Sequence, residues 1–324
     1  MTPFLSITIP TYNRAALLRQ ALDAILDQVA ADPEIEVVIS DNASPDDTER
    51  LGLDYVQRFP RVRYFRNPSN LGVNANLTAC LQRAEGEYVS YFSDDDLPKP
   101  GHFEAIKRQL KDGRPTLLYV NHEPFYNDNP LHVGAPMAPL ERVMLTDGSV
   151  FYRRFGLGFL SALTVRADLA RTFIGIVVEG RGTAHLDIVA RMALVGPGPF
   201  VYDGNVVVLA RNNESSYANI LRYGFLNVSR LHQDLRQEGL LTDRDLKLFR
   251  RRAIMGGLPR SVLADRCAGD GGPNENEVRS LYWEDPLYYL LAYPLLVLPR
   301  SWIRAVALPL RSCARGWRRW CYAR

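Results

Sequence analysis

The sequence predicts an α/β protein: a largely parallel sheet with helices on both faces, followed by a helical C-terminal extension. Three observations point there. The first 120 residues alternate short apolar runs with segments of helical periodicity. Polar, turn-rich clusters follow the apolar runs at residues 10–14, 41–47 and 93–96. The composition, 47% apolar and 23% charged over 324 residues, is that of a folded globular chain.

Leu5–Ile9 is a short apolar run ended by Pro10. Ala16–Val29 places Leu18, Leu22, Ile25, Leu26 and Val29 at helical spacing, with Asn13 as a candidate N-cap. Glu36–Ser40 reads as a second strand, stopped by DNASPDD. Thr48–Phe59 reads as a helix, Val62–Phe65 as a strand, and Val73–Ala84 as a helix after the turn NPSNLG. Glu87–Phe92 is a fourth strand running straight into Ser93, Asp94, Asp95 and Asp96. His102–Leu110 is helical and Thr116–Asn121 is a strand. This βαβ succession places the polar clusters at the carboxyl ends of parallel strands, where such sheets bind ligands. Beyond it, residues 122–160 read as loop-rich, Leu186–Leu194 as a helix and Val206–Ala210 as a strand. Tyr223–Glu238 and Asp243–Met255 read as helices with charged faces, and residues 265–280 as a polar, Gly-rich linker.

Composition excludes several classes. The 23 Gly and 21 Pro lie without a period, so no low-complexity tract is expected. Cys80, Cys267, Cys313 and Cys321 form no CxxC pair, which speaks against a zinc site or a disulfide scaffold and for a reducing, cytoplasmic compartment. MTPFLSITIP lacks the basic start of a signal peptide. The most apolar stretch, Pro286–Pro299, is too short to span a bilayer and is interrupted by Pro294. Residues 299–324 hold seven arginines and no acid, which leaves the other 298 residues at a net −4 within a chain of +3. A whole-protein nucleic-acid partner is therefore not expected, whereas a local anionic partner for the tail is.

The clusters carry chemistry. Three acids at the end of an apolar strand repel one another, and a hard divalent cation, Mg²⁺ or Mn²⁺, relieves that repulsion; the alternative is a solvated acidic turn capping the next helix. Asp41 ends the second strand, where a carboxylate can accept hydrogen bonds from a base or ribose, or serve only the turn. Pro10-Thr11-Tyr12-Asn13-Arg14 brings backbone donors and an arginine to a helix start, an anion site or an ordinary cap.

Taken together, IPTYNR, SDNASPDDT, NPSNLGVNAN and YFSDDDLPKP, in this order and spacing over residues 4–120, closely resemble glycosyltransferase family 2. The resemblance implies a GT-A fold and a nucleotide-sugar-dependent transferase. It implies that residues 1–120 bind the donor, that 121–220 bind the acceptor and carry catalysis, and that 221–280 form a helical extension and linker. It implies that Pro10, Thr11, Tyr12 and Arg14 line the nucleotide pocket and that Asp41, with Asn42, reads the base. Asn70, Gly72 and Asn76 lie near base and ribose. Asp94, Asp95 and Asp96 form the metal motif, with Asp96 and Asp94 as ligands. The order of acids differs from the common family pattern, with Ser93 where an acid often stands. In GRGTAHLDIVARMAL, counting back from Arg191 puts His185 at the position of the usual base; Asp187 and Glu179 are the other candidates, with Asp187 placed first because the family chemistry is carboxylate-based. Arg211, with Asn212, Asn213, Ser215 and Ser216, resembles a late motif over the diphosphate; no His stands there to complete a metal shell.

Two other readings remain. A nucleotidyltransferase would show a Gly-rich, Lys- or Arg-bearing loop after the first strand, and IPTYNR has no Gly. A degenerate nucleotide-sugar-binding protein would keep the fold and lose the base. On a helical wheel, Arg300, Arg304, Arg311, Arg315 and Arg318 oppose Trp302, Val306, Leu310, Cys313, Trp317 and Trp320. That is an interfacial pattern, so residues 281–324 are expected to touch the inner face of a membrane. Joined to the resemblance, it implies a lipid-linked, polyprenyl-diphosphate glycan as acceptor.

Overall fold

The computed structural model describes residues 2–126, 128–212, 220–268, 275–299 and 302. The chain divides into two units, Met1–Asn212 and Asn213–Arg324.

The first unit begins with β1 (Leu5–Thr11), α1 (Ala15–Val29), β2 (Ile35–Asp41), α2 (Thr48–Arg58), β3 (Val62–Arg66), α3 (Val73–Arg83) and β4 (Tyr88–Tyr91). β1 lies between β2 and β4 and runs parallel to both, and β2 is parallel to β3. Every residue of β2 and β4 is buried, as are Leu5, Ile7 and Ile9 of β1. Strands covered on both faces read as unbroken apolar runs, which is why these elements stand out in the sequence. α1 buries Leu18, Leu22, Ile25, Leu26 and Val29, the stripe expected from their spacing. Its start is a correction: Arg14, not Asn13, precedes the first turn, Asn13 has φ 55°, and the Asp46 carboxylate accepts from the Ala15 N–H at 2.9 Å.

Next come β5 (Leu97–Pro98), α4 (His102–Gly113), β6 (Leu117–Tyr126), β7 (Asn129–Val133), β8 (Arg142–Leu145), α5 (Gly148–Phe155), β9 (Leu163–Arg166), α6 (Ala167–Thr172), α7 (Ala184–Val195) and β10 (Phe200–Asn212). The sheet order is β3-β2-β1-β4-β9-β6-β10-β5, with β7 on β6 and β8 on β10. Here the expected, largely parallel sheet gives way to a mixed one. β9 is inserted antiparallel to both β4 and β6, and β5, β7 and β8 are antiparallel to their neighbours. Among the described residues of this half, only β6 and β10 pair in parallel. The region expected to be loop-rich holds β7, β8 and α5. β7 is exposed throughout and interrupted by Pro130, so no apolar alternation marks it.

The second unit contains a wide helical turn at Ile220–Leu226, then α8 (Asn227–Gln237), α9 (Asp243–Gly256), α10 (Leu258–Ala268), α11 (Glu275–Tyr282), α12 (Pro286–Leu291) and α13 (Tyr293–Val297). Leu226, Ile254, Leu258, Val262, Val278 and Tyr282 pack in its core. The expected linker is therefore largely helical, since α10 reaches Ala268 and α11 starts at Glu275. Among the described residues no helix is long and apolar enough to cross a membrane. The arginine-rich pattern over residues 300–324, apart from Trp302, lies outside the described residues, as do Asn213, Ser215 and Ser216.

Gly148, the first residue of α5, is set by close packing on α7: a Cβ there would sit 1.8 Å from the Ala193 carbonyl oxygen. Gly148→Ala is expected to destabilise the protein by about 2 kcal/mol or more, the scale of an overpacked core. The check is a fall in the urea midpoint with an unchanged denaturant slope.

Candidate functional site

The parallel register puts three strand ends side by side. Thr11 at the end of β1 pairs with Asp41 at the end of β2. The Phe92 N–H, just past β4, donates to the Thr8 carbonyl at 2.9 Å, so the chain leaves β4 alongside β1 and turns into Asp94–Asp96. The motifs IPTYNR and YFSDDDLPKP meet directly. The Thr11 hydroxyl donates to Asp94 Oδ2 at 2.7 Å, and Arg14 Nη1 donates to Asp94 Oδ1 at 3.1 Å and Asp95 Oδ2 at 3.2 Å. Arg14 and Tyr12 remain exposed, 45% for the Arg14 side chain and 43% for Tyr12.

The acidic turn is fastened from outside the motif. Ser161 Oγ donates to Asp96 Oδ2 at 2.5 Å and accepts from the Ser93 N–H at 2.8 Å. The Arg211 backbone N–H donates to Asp96 Oδ1 at 3.0 Å. The Arg211 guanidinium is buried: Nε donates to the Asp95 carbonyl at 2.9 Å, Nη1 to Asp128 at 2.6 Å and Nη2 to Gln20 at 2.8 Å, while the group lies 4.7 Å from the Phe125 ring centroid. In this structure Arg211 therefore positions the Asp94–Asp96 turn, and a contact with a diphosphate would require it to release these partners. Burial pushes the Asp94 carboxyl up to about 6 and Asp96 to about 7, with repulsion from Asp95 adding to both and Arg14 opposing it at Asp94.

These carboxylates fit a divalent cation by their chemistry: they are buried, mutually repelling oxygen donors. Among the described residues no three Asp, Glu, His or Cys side chains converge as a metal cage. The donor set thus suits an ion held through one or two carboxylates, with water and phosphate oxygens completing the shell.

Asp41 is fully buried and all its contacts are internal. Oδ1 accepts from the Ser44 N–H at 2.9 Å and the Ser44 hydroxyl at 2.5 Å; Oδ2 accepts from the Tyr64 hydroxyl at 2.6 Å and Arg66 Nη1 at 2.8 Å. Asn42 ties the second cluster to the third, donating to Asn70 Oδ1 at 2.8 Å and the Gly72 carbonyl at 3.2 Å and accepting from the Leu71 N–H at 3.0 Å. Gly72, at φ 84°, starts α3 in a conformation that side-chain-bearing residues rarely adopt. Asn76 faces inward, accepting from Ser40 Oγ at 2.6 Å and donating to the Ser40 carbonyl at 2.9 Å. Its place in this structure is the support of β2 from α3.

Sequence reasoning missed Asn74, which links α3 to α7. Its amide donates to the Val178 carbonyl and its Oδ1 accepts from the Ala184 N–H at 3.0 Å, the first residue of α7. The repeated Asn of NPSNLGVNAN was the available signal; Ser161 and Gln20 had none. Of the candidates for the base, Asp187 is fully buried, with Thr183 Oγ1 at 3.1 Å, Arg181 Nη1 at 3.4 Å and Arg191 Nη1 at 3.6 Å. His185, one turn before Ile188 on the same helix, has a buried Nδ1 without a hydrogen-bond partner, and burial lowers its pKa to about 4, so the ring is neutral at pH 7. Glu179 is exposed.

The sequence of residues 6–152 matches the family described as Glycosyl transferase family 2. This region belongs to glycosyl transferase family 2. Among curated relatives, the GalNAc(5)-diNAcBac-PP-undecaprenol beta-1,3-glucosyltransferase of Campylobacter jejuni is 33% identical over 112 residues, 34% of this chain and 36% of that protein. The abequosyltransferase RfbV of Salmonella typhimurium is 41% identical over 95 residues, 28% of each chain. The chain thus spans about a third of the length of these curated relatives. Among solved structures, S. aureus TarS 1-349 in complex with UDP-GlcNAc superimposes with a TM-score of 0.60 at 16% identity, covering 93% of this chain and 87% of that one. Mannosyltransferase PcManGT from Pyrobaculum calidifontis, in complex with GDP-Man and Mn²⁺, gives 0.57 at 17% identity, covering 95% and 87%. The fold is of the GT-A type expected from the family 2 motifs.

Asp94 and Asp96 are held above the 3.8 of an ordinary aspartate, so their ionised forms oppose folding: the penalty is absent at low pH and grows as pH rises through 6 and 7. Asp96→Asn removes one buried charge and keeps an acceptor for the Arg211 N–H. In chelator, its melting temperature is expected to exceed that of the parent at pH 8, with the advantage shrinking toward pH 5.

Proposed function

We propose that the protein is a metal-dependent, inverting glycosyltransferase that moves a sugar from a nucleoside-diphosphate donor to an acceptor hydroxyl. The observation that carries this reading is the convergence of Thr11, Arg14 and Asp94–Asp96, by direct hydrogen bonds, at the carboxyl ends of parallel β1 and β4, beside Asp41 at the end of β2. In such sheets that edge is where nucleotides bind. Exposed Arg14 and Tyr12 face the diphosphate and base; Asp41, held by Tyr64 and Arg66, and the Asn42–Asn70–Gly72 network give the base pocket its rigid wall. Asp96 and Asp94 would hold Mg²⁺ or Mn²⁺, which supplies positive charge to the departing diphosphate.

In a single displacement the acceptor oxygen attacks the anomeric carbon, the bond to the diphosphate oxygen breaks, and the acceptor proton passes to a base on the first turn of α7. The two candidates there differ in environment. Asp187 is committed to Thr183, Arg181 and Arg191, whereas His185 carries a neutral ring with an unpartnered Nδ1. On that difference we propose His185 as the base, ahead of the Asp187 that the sequence favours, and a positioning role for Asp187. The acceptor is a polyprenyl-diphosphate-linked glycan of surface polysaccharide synthesis, in keeping with the undecaprenol-linked substrate in the name of the Campylobacter relative. The enzyme would work in the cytoplasm, peripheral to the inner face of the cell membrane.

The test is thermal stabilisation by UDP, GDP, dTDP and CMP, each with and without Mn²⁺. One nucleoside diphosphate is expected to raise the melting temperature in a metal-dependent way, by an amount set by mass action, and Asp96→Ala is expected to abolish the shift. Absence of a shift with every nucleotide, in a folded sample, would overturn the reading.

The base assignment has its own check. His185→Asn is expected to keep the parent melting temperature and lose about 10²-fold or more in kcat. Asp187→Asn is expected to lose about 3 kcal/mol or more of stability, because it removes the buried negative charge that faces the Arg181 and Arg191 guanidinium groups. A parent-like melting temperature with a collapsed kcat in Asp187→Asn would transfer the base to Asp187.

A further inference from the structure

A basic, partly apolar surface lies on α9 in the second unit, in a segment that holds none of the motifs used above. The Thr242–Asp245 capping box starts this helix, which buries Phe249 and Ile254. Arg244, Lys247, Leu248, Arg251 and Met255 are all exposed and, at 100° per residue, share one stripe on the opposite side. The stripe borders a concavity of about 420 Å³ closed by Glu284, Asp285 and Pro286. Both acids are committed: Glu284 pairs with Arg250, and Asp285 caps α12 by accepting from the Leu287 N–H and lies 3.5 Å from Arg251. Among the described residues, Arg244 and Lys247 have no carboxylate within ion-pair distance, so the concavity presents uncompensated positive charge.

Large apolar side chains are exposed on the same helix and, in sequence, on either side of the lining acids. Met255 is 65% exposed within the stripe, Trp283 is 53% exposed next to Glu284, and Leu290 is 70% exposed on α12, which begins at Pro286. Such large apolar side chains in water are costly, and beside unpaired cations they are the composition of an interfacial contact. A nucleic-acid backbone would answer the cations and leave Met255 and Leu290 without a partner; a phospholipid surface answers both. The sequence continues the same character, for residues 299–324 add seven arginines and no acid.

We infer that the α9 stripe is a binding site for anionic phospholipid, with a headgroup phosphate between Arg244 and Lys247 and the side chains of Met255, Trp283 and Leu290 in the headgroup boundary. The inference deepens the membrane part of the proposed function and places contact on the second unit's helices rather than on the arginine-rich tail alone.

The experiment is co-sedimentation of the full chain with vesicles of neutral phosphatidylcholine or of phosphatidylcholine with 30% phosphatidylglycerol. The parent is expected to bind the anionic vesicles, and Arg244→Glu/Lys247→Glu to bind them about tenfold more weakly or worse, as two reversed charges at an anionic surface require. Both side chains are exposed, so the parent melting temperature, and its shift with nucleotide and Mn²⁺, are expected to be retained. That second readout separates failure here from failure of the transferase reading. Equal binding by parent and variant would overturn the inference and leave the tail as the contact. A melting shift with inorganic phosphate that the variant loses, without vesicle binding by either protein, would also overturn it and make the concavity a free-phosphate site. So would variant-sensitive binding to duplex DNA in place of vesicles.

Discussion

The structure turns on three consecutive aspartates placed at the end of a fully buried strand. Burial and mutual repulsion work against the ionised turn, and the surrounding chain is arranged to hold it nonetheless. Thr11 and Arg14 reach it from β1, Ser161 from the segment before β9, and Arg211 from the end of β10, with both backbone and side chain. Three sequence regions, from Thr11 at one extreme to Arg211 at the other, are pinned around one acidic loop. The mixed second half of the sheet makes this possible: β9, inserted antiparallel beside β4, brings Ser161 to the turn, and β10 delivers Arg211 to its far side.

The same constraint separates residues open to solvent from residues that hold. Arg14 and Tyr12 are open to solvent and available to a ligand. Asp41, Asn42 and Asn76 are enclosed, and their polar atoms are spent on neighbouring backbone and side chains. Their contribution is shape, since a buried amide or carboxylate whose partners are all fixed gives a rigid wall. Asp187 belongs with this second group, held between Arg181 and Arg191.

Much of the first unit was legible because buried parallel strands are apolar throughout and amphipathic helices repeat at their own period. β1 to β4 and α1 to α4 fall within a few residues of where Leu5–Ile9, Glu36–Ser40 and their successors place them. The motif clusters were legible as a set and ambiguous as individuals, because an aspartate that ends a strand reads alike whether it binds a ligand or braces a turn. β7 was missed since it is exposed throughout, and β8 since its four residues alternate only between exposed and half-buried. α10 and α11 were hidden by composition: each buries only a few residues, such as Val262 or Val278, within a polar sequence. Ser161, Gln20 and Asn74 act through contacts across 65 or more residues, and local sequence carries no mark of such partners.

Asn74 has a consequence for how the molecule comes together. Its two hydrogen bonds close loops of 104 and 110 residues, and the chain between includes β4, β6 and β9. Closing so long a loop first would cost entropy with nothing to repay it, so this amide finds its partners after the strands between have paired. The start of α7, which carries the proposed base, is then fixed after the strand ends proposed to bind the donor. A chain stalled before that step would hold the proposed donor edge without the proposed base in place.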